Sequence, residues 1–286
     1  MRTDDTEQIL AIKDERLDID RIDHYRLSFF ISVSACQITV FDIRKKSLLF
    51  LENRPFSQDK SIADNLQDIY DDHILVAAGF WNEIQIVFRN KLFALVPMPV
   101  FDKQMVKSYV RLNEAIPDNS DFHFKHMDNY GVAVGFGFEQ EVKAWFKKRY
   151  PKISLYTNHQ SVAFLRAIQA PLKAKRANSL FVSINAKEVL LAGFNLNRIA
   201  IYNQFAFRDQ NQFIKLLLLS IKQFSEEGHD TPVILYGVKE QVDKNLPLLK
   251  KYFKNIELGS RPDNIAIHPV FNELEPHEYF EVLSNA

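Results

Sequence analysis

Residues 180–207 have the sequence LFVSINAKEVLLAGFNLNRIAIYNQFAF. The apolar residues form three short runs separated by the polar groups NAKE and NLNR, a pattern that predicts three strands joined by two tight turns. A second copy lies in the first half of the chain, because a shift of about 151 residues aligns residues 27–56 with this stretch without a gap. The alignment ends by matching Phe56 with Phe207. Two such units half a chain apart predict a duplicated α/β domain.

The composition allows a substantial core in each half. The chain has 286 residues, of which 47% are hydrophobic and 13% aromatic, enough for one large or two medium domains. The formal net charge is zero, which argues against a nucleic-acid-binding protein because such proteins usually have an excess of Lys and Arg. Cys36 is the single cysteine, so the chain can form neither an intrachain disulfide nor a cysteine-based zinc cluster.

The N-terminal sequence MRTDDTEQILAIKDE is acidic and lacks the apolar core of a signal peptide. No window of the sequence approaches the 18 or so consecutive apolar residues of a membrane-spanning helix. We therefore expect no membrane span and a cytoplasmic location.

Periodicity and turn residues predict further elements in the first half. Residues 9–22 fit either an edge strand or a short helix, and residues 83–88 and 91–96 are predicted to form a hairpin that turns at Arg89 and Asn90. The other predicted elements are strands at 25–33, 37–43, 47–56, 122–126, 130–136 and 153–156, and helices at 60–73 (capped by Asp59 or Ser61), 102–113 (capped by Asp102), 139–150 and 158–169.

The join between the halves is predicted at residues 171–178. Their sequence, PLKAKRAN, is basic, contains proline and has few apolar side chains. The predicted domains are therefore residues 1–170, with hairpin and helix insertions, and residues 171–286. After its three strands, the second half is predicted to contain helices at 211–227, 238–252 and 276–283 and strands at 232–236, 255–258 and 266–270.

Two potential chemical signals have simpler structural interpretations. Cys36 has no Cys–His signature near it, so we expect a small half-buried apolar side chain rather than a reactive thiol. His123 and His126 have an H-x-x-H spacing, but their segment alternates like a strand, which points the two side chains to opposite faces. We assign no catalytic residue and no metal ligand.

The order of elements supports a family resemblance. Three antiparallel strands followed by a helix, a strand and another helix, twice over, resemble the actin-like ATPase (ribonuclease H-like) fold shared by sugar kinases, heat-shock chaperones and actin. The resemblance covers about residues 25–258 as topology and pattern. More closely, the chain resembles an uncharacterised bacterial family assigned that fold, and more distantly the actin-like scaffold proteins of pilus-assembly and type II secretion machines. The resemblance implies two domains flanking a cleft that holds the nucleotide.

Within that resemblance, the first two strands of each half present a loop to the phosphates, and a glycine-containing segment after an apolar strand holds the adenosine. Phosphate loops need glycine because their backbone N–H groups approach the oxygens, often with positive φ. An Asp is also expected at the end of each first strand, to hold Mg²⁺ or position water. The positions matching these nucleotide-binding elements are Ser32, Ser34, Ala35, Ser183, Asn185, Ala186, Lys187 and Gly237.

These positions depart from the family pattern. Ser32 and Ser183 stand where the two Asp residues are expected, and neither loop contains glycine. Gly237 is the single glycine of the adenosine segment. Without the carboxylates that hold Mg²⁺, we do not expect ATP hydrolysis. The leading hypothesis is a non-catalytic binding or scaffold protein with an unidentified protein partner. The alternatives are an ATP-dependent small-molecule kinase or ATPase with atypical loops, and a nucleotide-sensing module that binds ATP without turnover.

Overall fold

A computed structural model describes residues 10–174, 178–185, 187–226 and 228–284. The chain forms two compact units. Unit 1 contains the described residues up to Val162 together with Asn264–Asn272, and unit 2 contains Ala163–Asp263 and the described residues from Glu273 onwards. The domain boundary placed by sequence at residue 170 stays a prediction. Within the described residues, no helix is long and apolar enough to cross a membrane.

Unit 1 is built on a six-stranded sheet with the order β1-β4-β3-β2-β5-β9. Neighbouring strands among β1 to β4 are antiparallel, whereas β2, β5 and β9 run parallel. The three strands predicted at the start of this unit are confirmed, and their apolar side chains are almost fully buried. The strands are β1 (Leu10–Lys13), β2 (Tyr25–Ile31), β3 (Ala35–Asp42), β4 (Ser47–Pro55), β5 (Glu83–Phe88) and β9 (Ser154–His159).

The predicted hairpin between residues 83–88 and 91–96 is wrong. The first strand, β5, pairs with β2 and β9, whereas the second, β6 (Phe93–Pro97), belongs to a separate three-stranded sheet with the order β6-β8-β7. Asn90 lies between the two strands, and its side chain donates to the Gly137 carbonyl and accepts from the Leu92 amide, next to the pairing of β6 with β8. The remaining strands of this sheet are β7 (Ser120–Met127) and β8 (Val132–Glu139).

The helices of unit 1 begin where local signals predict. Ser61 caps α1 by accepting from the Asp64 amide. Asp102 likewise caps a 3-10 turn that leads into α3. The ambiguous residues 9–22 contribute both β1 and the start of a 3-10 helix, Ile19–His24. The helices are α1 (Ile62–Asp72), α2 (Ile74–Ala77), α3 (Val106–Arg111), α4 (Gln140–Arg149) and α5 (Gln160–Ala167), which continues into unit 2.

A late segment of the chain returns to unit 1. The Ala266 amide donates to the Lys46 carbonyl, and the Leu48 amide donates to the Ala266 carbonyl. The short parallel bridge between Ser47 and Ala266 places this segment beside the start of β4. Unit 1 is therefore assembled from two stretches of sequence separated by most of unit 2.

Unit 2 repeats the architecture with a five-stranded sheet of order β12-β11-β10-β13-β14. Its core combines the inner side chains of β10 and β11 with those of α7 and α8. The predicted join at 171–178 begins inside a helix, α6, rather than in a loop. The elements are α6 (Gln169–Ala174), β10 (Ser179–Asn185), β11 (Glu188–Asn195), β12 (Arg198–Ala206), α7 (Gln210–Ile221), β13 (Val233–Gly237), α8 (Lys239–Tyr252), β14 (Ile256–Leu258) and α9 (Phe280–Ser284).

The two sheets confirm the duplication and correct its alignment. In both sheets the middle strand pairs with the third strand through a β-bulge. The step from Val40 to Phe41 in β3 faces the extra residue Leu49 in β4, and the step from Gly193 to Phe194 in β11 faces the extra residue Ala200 in β12. The positions in β3 and β11 match with an offset two residues longer than the ungapped sequence alignment, whereas the two extra residues match with the original offset. The compensating difference is in the next turn, since β3 and β4 are joined by residues 43–46 but β11 and β12 by residues 196–197.

Candidate functional site

The loop between β2 and β3 is closed by hydrogen bonds of its own residues. The Ser32 amide donates to the Ala35 carbonyl at 2.9 Å. The Ser32 hydroxyl oxygen accepts from the amides of Ala35 at 3.0 Å and Ser34 at 3.3 Å, and the hydroxyl donates to the Ala35 carbonyl at 2.9 Å. The Phe56 amide then donates to the Ser34 carbonyl at 2.7 Å, which holds the loop against the end of β4.

This geometry differs from that of a phosphate-binding loop. Such a loop points backbone N–H groups at the anion, often from residues with positive φ. Here the amides of Ser32, Ser34 and Ala35 all donate within the loop, and none of these residues has a positive φ. The Ser32 hydroxyl therefore occupies the donors that a phosphate oxygen would need.

The corresponding loop of unit 2 turns two residues later than the sequence alignment predicts. Asn185 pairs with Glu188 across the turn, as Ser32 pairs with Ala35, so Asn185 rather than Ser183 is the counterpart of Ser32. The Phe207 amide donates to the Lys187 carbonyl at 2.9 Å, the same closing bond as in unit 1. Asn185 and Lys187 are exposed, and the predicted Ala186 lies outside the described residues.

Ser183 lies inside β10 and not in the loop. It is only 5% exposed, and its hydroxyl donates to the Glu281 carboxylate on α9 in a short hydrogen bond. Glu281 is itself 9% exposed. Ser183, which stands where the family pattern has an Asp, therefore has the carboxylate of Glu281 next to it. The sequence analysis gave the segment that contains Glu281 no chemical role.

Gly237 is required by the backbone itself. Its φ is +135°, and a Cβ at this position would lie 2.1 Å from the Ile184 carbonyl oxygen. Its amide donates to the His277 carbonyl at 3.0 Å. The glycine expected to approach an adenosine is therefore explained by close packing against β10, with its N–H already bonded within unit 2.

The first amide of α8 is also already hydrogen-bonded within unit 2. A helix N-terminus attracts anions because its first N–H groups have no intrahelical partners. In this protein the Lys239 amide donates to the Glu278 carboxylate at 2.9 Å, and the same carboxylate accepts from the Glu275 amide at 2.9 Å. Glu278 is 8% exposed, so an internal carboxylate occupies the place that an external anion would take.

Residues 275–284, which we call the C-terminal cover, thus lie over the edge of unit 2 formed by Ser183, Gly237 and the start of α8. Phe280 stacks on Tyr236 with ring centroids 3.9 Å apart. Burial raises the pKa of the Tyr236 hydroxyl, and the charge of Glu281 raises it further. Burial also lowers the pKa of His277. The C-terminal cover is therefore an integral part of the packed unit, and its acidic residues were missed because the sequence pattern indicated only a helix.

The other potential chemical groups have structural roles. Cys36 is fully buried, and burial raises the pKa of its thiol, which makes it unreactive. His123 bonds to Thr157 and Lys143, whereas His126 lies beside the sulfur of Met98, so the two histidines do not converge. The described residues contain no group of three His, Cys, Asp or Glu side chains that could hold a metal ion.

Solved structures resemble the chain over nearly its whole length. A Bacteroides thetaiotaomicron protein with actin-like ATPase fold and unknown function is 15% identical with a TM-score of 0.79, covering 94% of this chain and 98% of its own. A chain of the PilM-PilN type IV pilus biogenesis complex is 15% identical with a TM-score of 0.62, covering 91% and 96%. The ethanolamine utilization protein EutJ from Carboxydothermus hydrogenoformans is 9% identical with a TM-score of 0.50, covering 96% and 93%.

These likenesses confirm the actin-like ATPase fold that the sequence predicted, and at such identities they show the fold alone. The family model described as "Protein of unknown function (DUF3822)" matches residues 14–256. None of the curated protein sequences matches the chain.

Proposed function

Because this chain belongs to the DUF3822 family of proteins of unknown function, we propose its role from its own geometry: it is a non-catalytic actin-like scaffold that binds a protein partner. The observation on which this proposal rests is that five of the groups expected to hold a nucleotide already bond to other groups of their own unit: Ser32, Ser34, Ala35, Ser183 and Gly237.

In unit 1, the three amides of Ser32, Ser34 and Ala35 donate to groups of the same loop. A phosphate could reach them only by replacing the Ser32 hydroxyl and breaking the turn. Ser32 also lacks the negative charge with which an Asp would hold Mg²⁺ or orient water.

In unit 2, carboxylates take the place of the ligand. Glu278 accepts from the first amide of α8, and Glu281 accepts from Ser183. Both side chains are more than nine-tenths buried. A triphosphate brought to this edge would meet negative charge in a buried setting, where like charges repel strongly. The loops and the C-terminal cover therefore favour a role without nucleotide turnover over the kinase, ATPase and nucleotide-sensing alternatives.

A protein partner is the natural ligand class for such a chain. One similar structure is a chain of the PilM-PilN type IV pilus biogenesis complex, so this fold can serve in a protein assembly. The zero net charge of the present chain offers no general attraction for nucleic acid. We place the proposed scaffold in the cytoplasm.

Thermal unfolding with and without ATP tests the proposal. A site filled at 100 times its dissociation constant would add about 2.7 kcal/mol to the free energy of unfolding. In a protein of this size that corresponds to a rise of roughly 5–10 °C in Tm. We expect the Tm in millimolar ATP and Mg²⁺ to match the Tm in Mg²⁺ alone.

The control is the Ser32→Gly variant, which removes the hydroxyl that bonds to the Ser34 and Ala35 amides. If this variant gains an ATP-dependent shift that the natural chain lacks, the closed loop is the reason for the lack of binding. An ATP-dependent shift of several degrees in the natural chain, or steady phosphate release, would refute the scaffold proposal.

A further inference from the structure

One side of α7 forms an apolar groove at the surface of unit 2, which we call the α7 groove. Its lining residues on α7 and the C-cap recur at intervals of three and four, so they form one stripe along the helix. They are Asn211, Ile214, Lys215, Leu218, Leu219 and Lys222. Tyr252, the last residue of α8, also lines the groove, which has a volume of about 310 Å³.

The floor of the α7 groove is apolar and partly open to solvent. Ile214 belongs to the core of unit 2, and the half-buried Leu218 packs against that core. Leu219 and Tyr252 are 47% and 40% exposed. Apolar side chains in this position gain free energy when a ligand removes them from water, and concave apolar surfaces are where ligands bind.

The charged residues that line the α7 groove are both lysines. Lys215 and Lys222 are exposed, and neither forms an ion pair with any residue that the structure describes. They are seven residues apart, which places them almost in line and about 10 Å apart along the helix axis. The described lining contains no carboxylate. The groove therefore attracts negative charge at two points beside one apolar surface.

We infer that the α7 groove binds an acidic amphipathic helix of the protein partner. The apolar side of that helix covers Leu218, Leu219 and Tyr252, and two of its carboxylates, seven residues apart, face Lys215 and Lys222. This inference rests on the proposed scaffold function and names its docking surface.

The spacing of the two lysines favours a helix over other acidic ligands. A helix with glutamate at every seventh position carries its carboxylates at the same spacing of about 10 Å, with apolar side chains between them. Lysine and glutamate at the flanks of an apolar seam are also the pairs that select partners in coiled coils.

The same two lysines disfavour other occupants. A second copy of the chain, related by a two-fold axis through the groove, would bring its own Lys215 and Lys222 against these lysines, and like charges repel. Membrane-binding clusters contain roughly four to eight basic residues, whereas two line this groove.

Binding of a designed peptide tests this inference. The probe is a fluorescent peptide of three heptads with leucine at positions a and d, glutamate at e and g, and alanine elsewhere. Its glutamates prevent pairing between peptides, because e and g face each other in a coiled coil. The matched peptide has lysine in place of every glutamate, and fluorescence anisotropy measures the affinity of each.

We expect the natural chain to bind the acidic peptide about tenfold or more tightly than the lysine peptide. The Lys215→Glu, Lys222→Glu double variant should reverse this preference. That reversal includes a gain of binding to the lysine peptide, which unfolding of the variant cannot imitate. The control is the Lys147→Glu, Lys148→Glu double variant, which changes two exposed lysines of α4 and the net charge by the same amount. It should keep the preference of the natural chain.

Leu219→Ser tests the apolar part of the groove. Because this side chain is 47% exposed, its replacement should leave Tm unchanged while weakening the binding of the acidic peptide. No saturable binding of the acidic peptide, equal binding of both peptides, or an unchanged preference in the Lys215→Glu, Lys222→Glu variant would overturn the inference.

Two other occupants would also overturn it. Dimers of the natural chain that Leu219→Ser abolishes would assign the groove to a second copy. Binding to phosphatidylserine vesicles that Lys215→Glu with Lys222→Glu abolishes would assign it to a membrane surface. If the acidic peptide fails and ATP also produces no shift in Tm, the α7 groove alone is refuted, whereas an ATP-dependent shift in the natural chain would remove the scaffold role itself.

Discussion

The hydrogen bond between Ser183 and Glu281 should contribute measurably to the stability of unit 2. Both residues are more than nine-tenths buried, and the bond joins β10 to the C-terminal cover. A hydrogen bond to a charged group contributes about 1.5–3 kcal/mol, and a buried polar group left without its partner costs about 1–3 kcal/mol. Ser183→Ala and Glu281→Leu should therefore each lower the free energy of unfolding by about 1–3 kcal/mol.

The double variant distinguishes this bond from general packing. Replacing both partners by apolar side chains leaves neither group buried without the other, so the combined loss should be smaller than the two single losses together. We expect a coupling energy of about 1.5 kcal/mol or more from the double-mutant cycle.

Urea unfolding followed by far-UV circular dichroism measures these changes. With a slope of about 3 kcal/mol per molar urea, a coupling of about 1.5 kcal/mol corresponds to about 0.5 M in the midpoint. Both tryptophans, Trp81 and Trp145, lie in unit 1, so tryptophan fluorescence follows that unit separately.

The matched control is Ser179→Ala on the same strand. Ser179 is fully buried, and its hydroxyl bonds to none of the described groups, so its removal should not lower the free energy of unfolding and should instead raise it, by up to about 1–3 kcal/mol. Single losses that add within about 0.5 kcal/mol in the double variant would refute the claim that Ser183 and Glu281 stabilise each other.

Three other predictions concern unit stability. Leu196 is 73% exposed with φ of 48°, so Leu196→Asn should raise the free energy of unfolding by about 0.5–1 kcal/mol, and an unchanged or lower Tm would contradict this. Asn65 is 6% exposed and its side chain bonds to the Ser57 amide and carbonyl, so Asn65→Ala should cost about 2–3 kcal/mol in urea unfolding, and a loss below about 1 kcal/mol would show the contacts to be weak. Burial raises the pKa of Glu52, but its bonds to His73 and Arg54 outweigh burial and leave that pKa lowered. The resulting stabilisation is complete above pH 4.5 and is lost as the pH falls below that value. Glu52→Gln should therefore reduce the drop of the urea midpoint at acid pH, and an equally steep drop would contradict the assignment.

The parts of the fold that local signals determine were predictable from sequence. The first three strands, the Ser61 cap and the duplication follow from apolar runs, capping residues and self-comparison. The hairpin after β5 was wrong because adjacency in sequence does not decide which strand a segment pairs with. The contacts that place the second strand are distant in sequence; for example, the Asn90 side chain bonds to Gly137, 47 residues away.

The candidate site was predictable in composition but not in geometry. The absence of Asp and Gly from both loops could be read from the sequence. The position of the turn between β10 and β11 could not be read from it. An apolar pattern determines which face of the sheet a side chain occupies, and shifting the turn by two residues leaves that face unchanged. The contact between Ser183 and Glu281 spans 98 residues, and no periodicity reports a bond of that range.

Because residues 264–272 belong to unit 1, this unit can be completed only late in the synthesis of the chain. Ala266 bonds to Lys46 and Leu48, yet about 100 residues, nearly all of unit 2, are translated between Val162 and this segment. At a synthesis rate of roughly 5–20 residues per second, residue 266 is added about 5–20 s after the rest of unit 1, and the bonds can form only then. The Lys46 carbonyl and the Leu48 amide of β4 therefore lack these two bonds until residue 266 has been translated, and unit 1 is completed only after the strands of unit 2 have been synthesised.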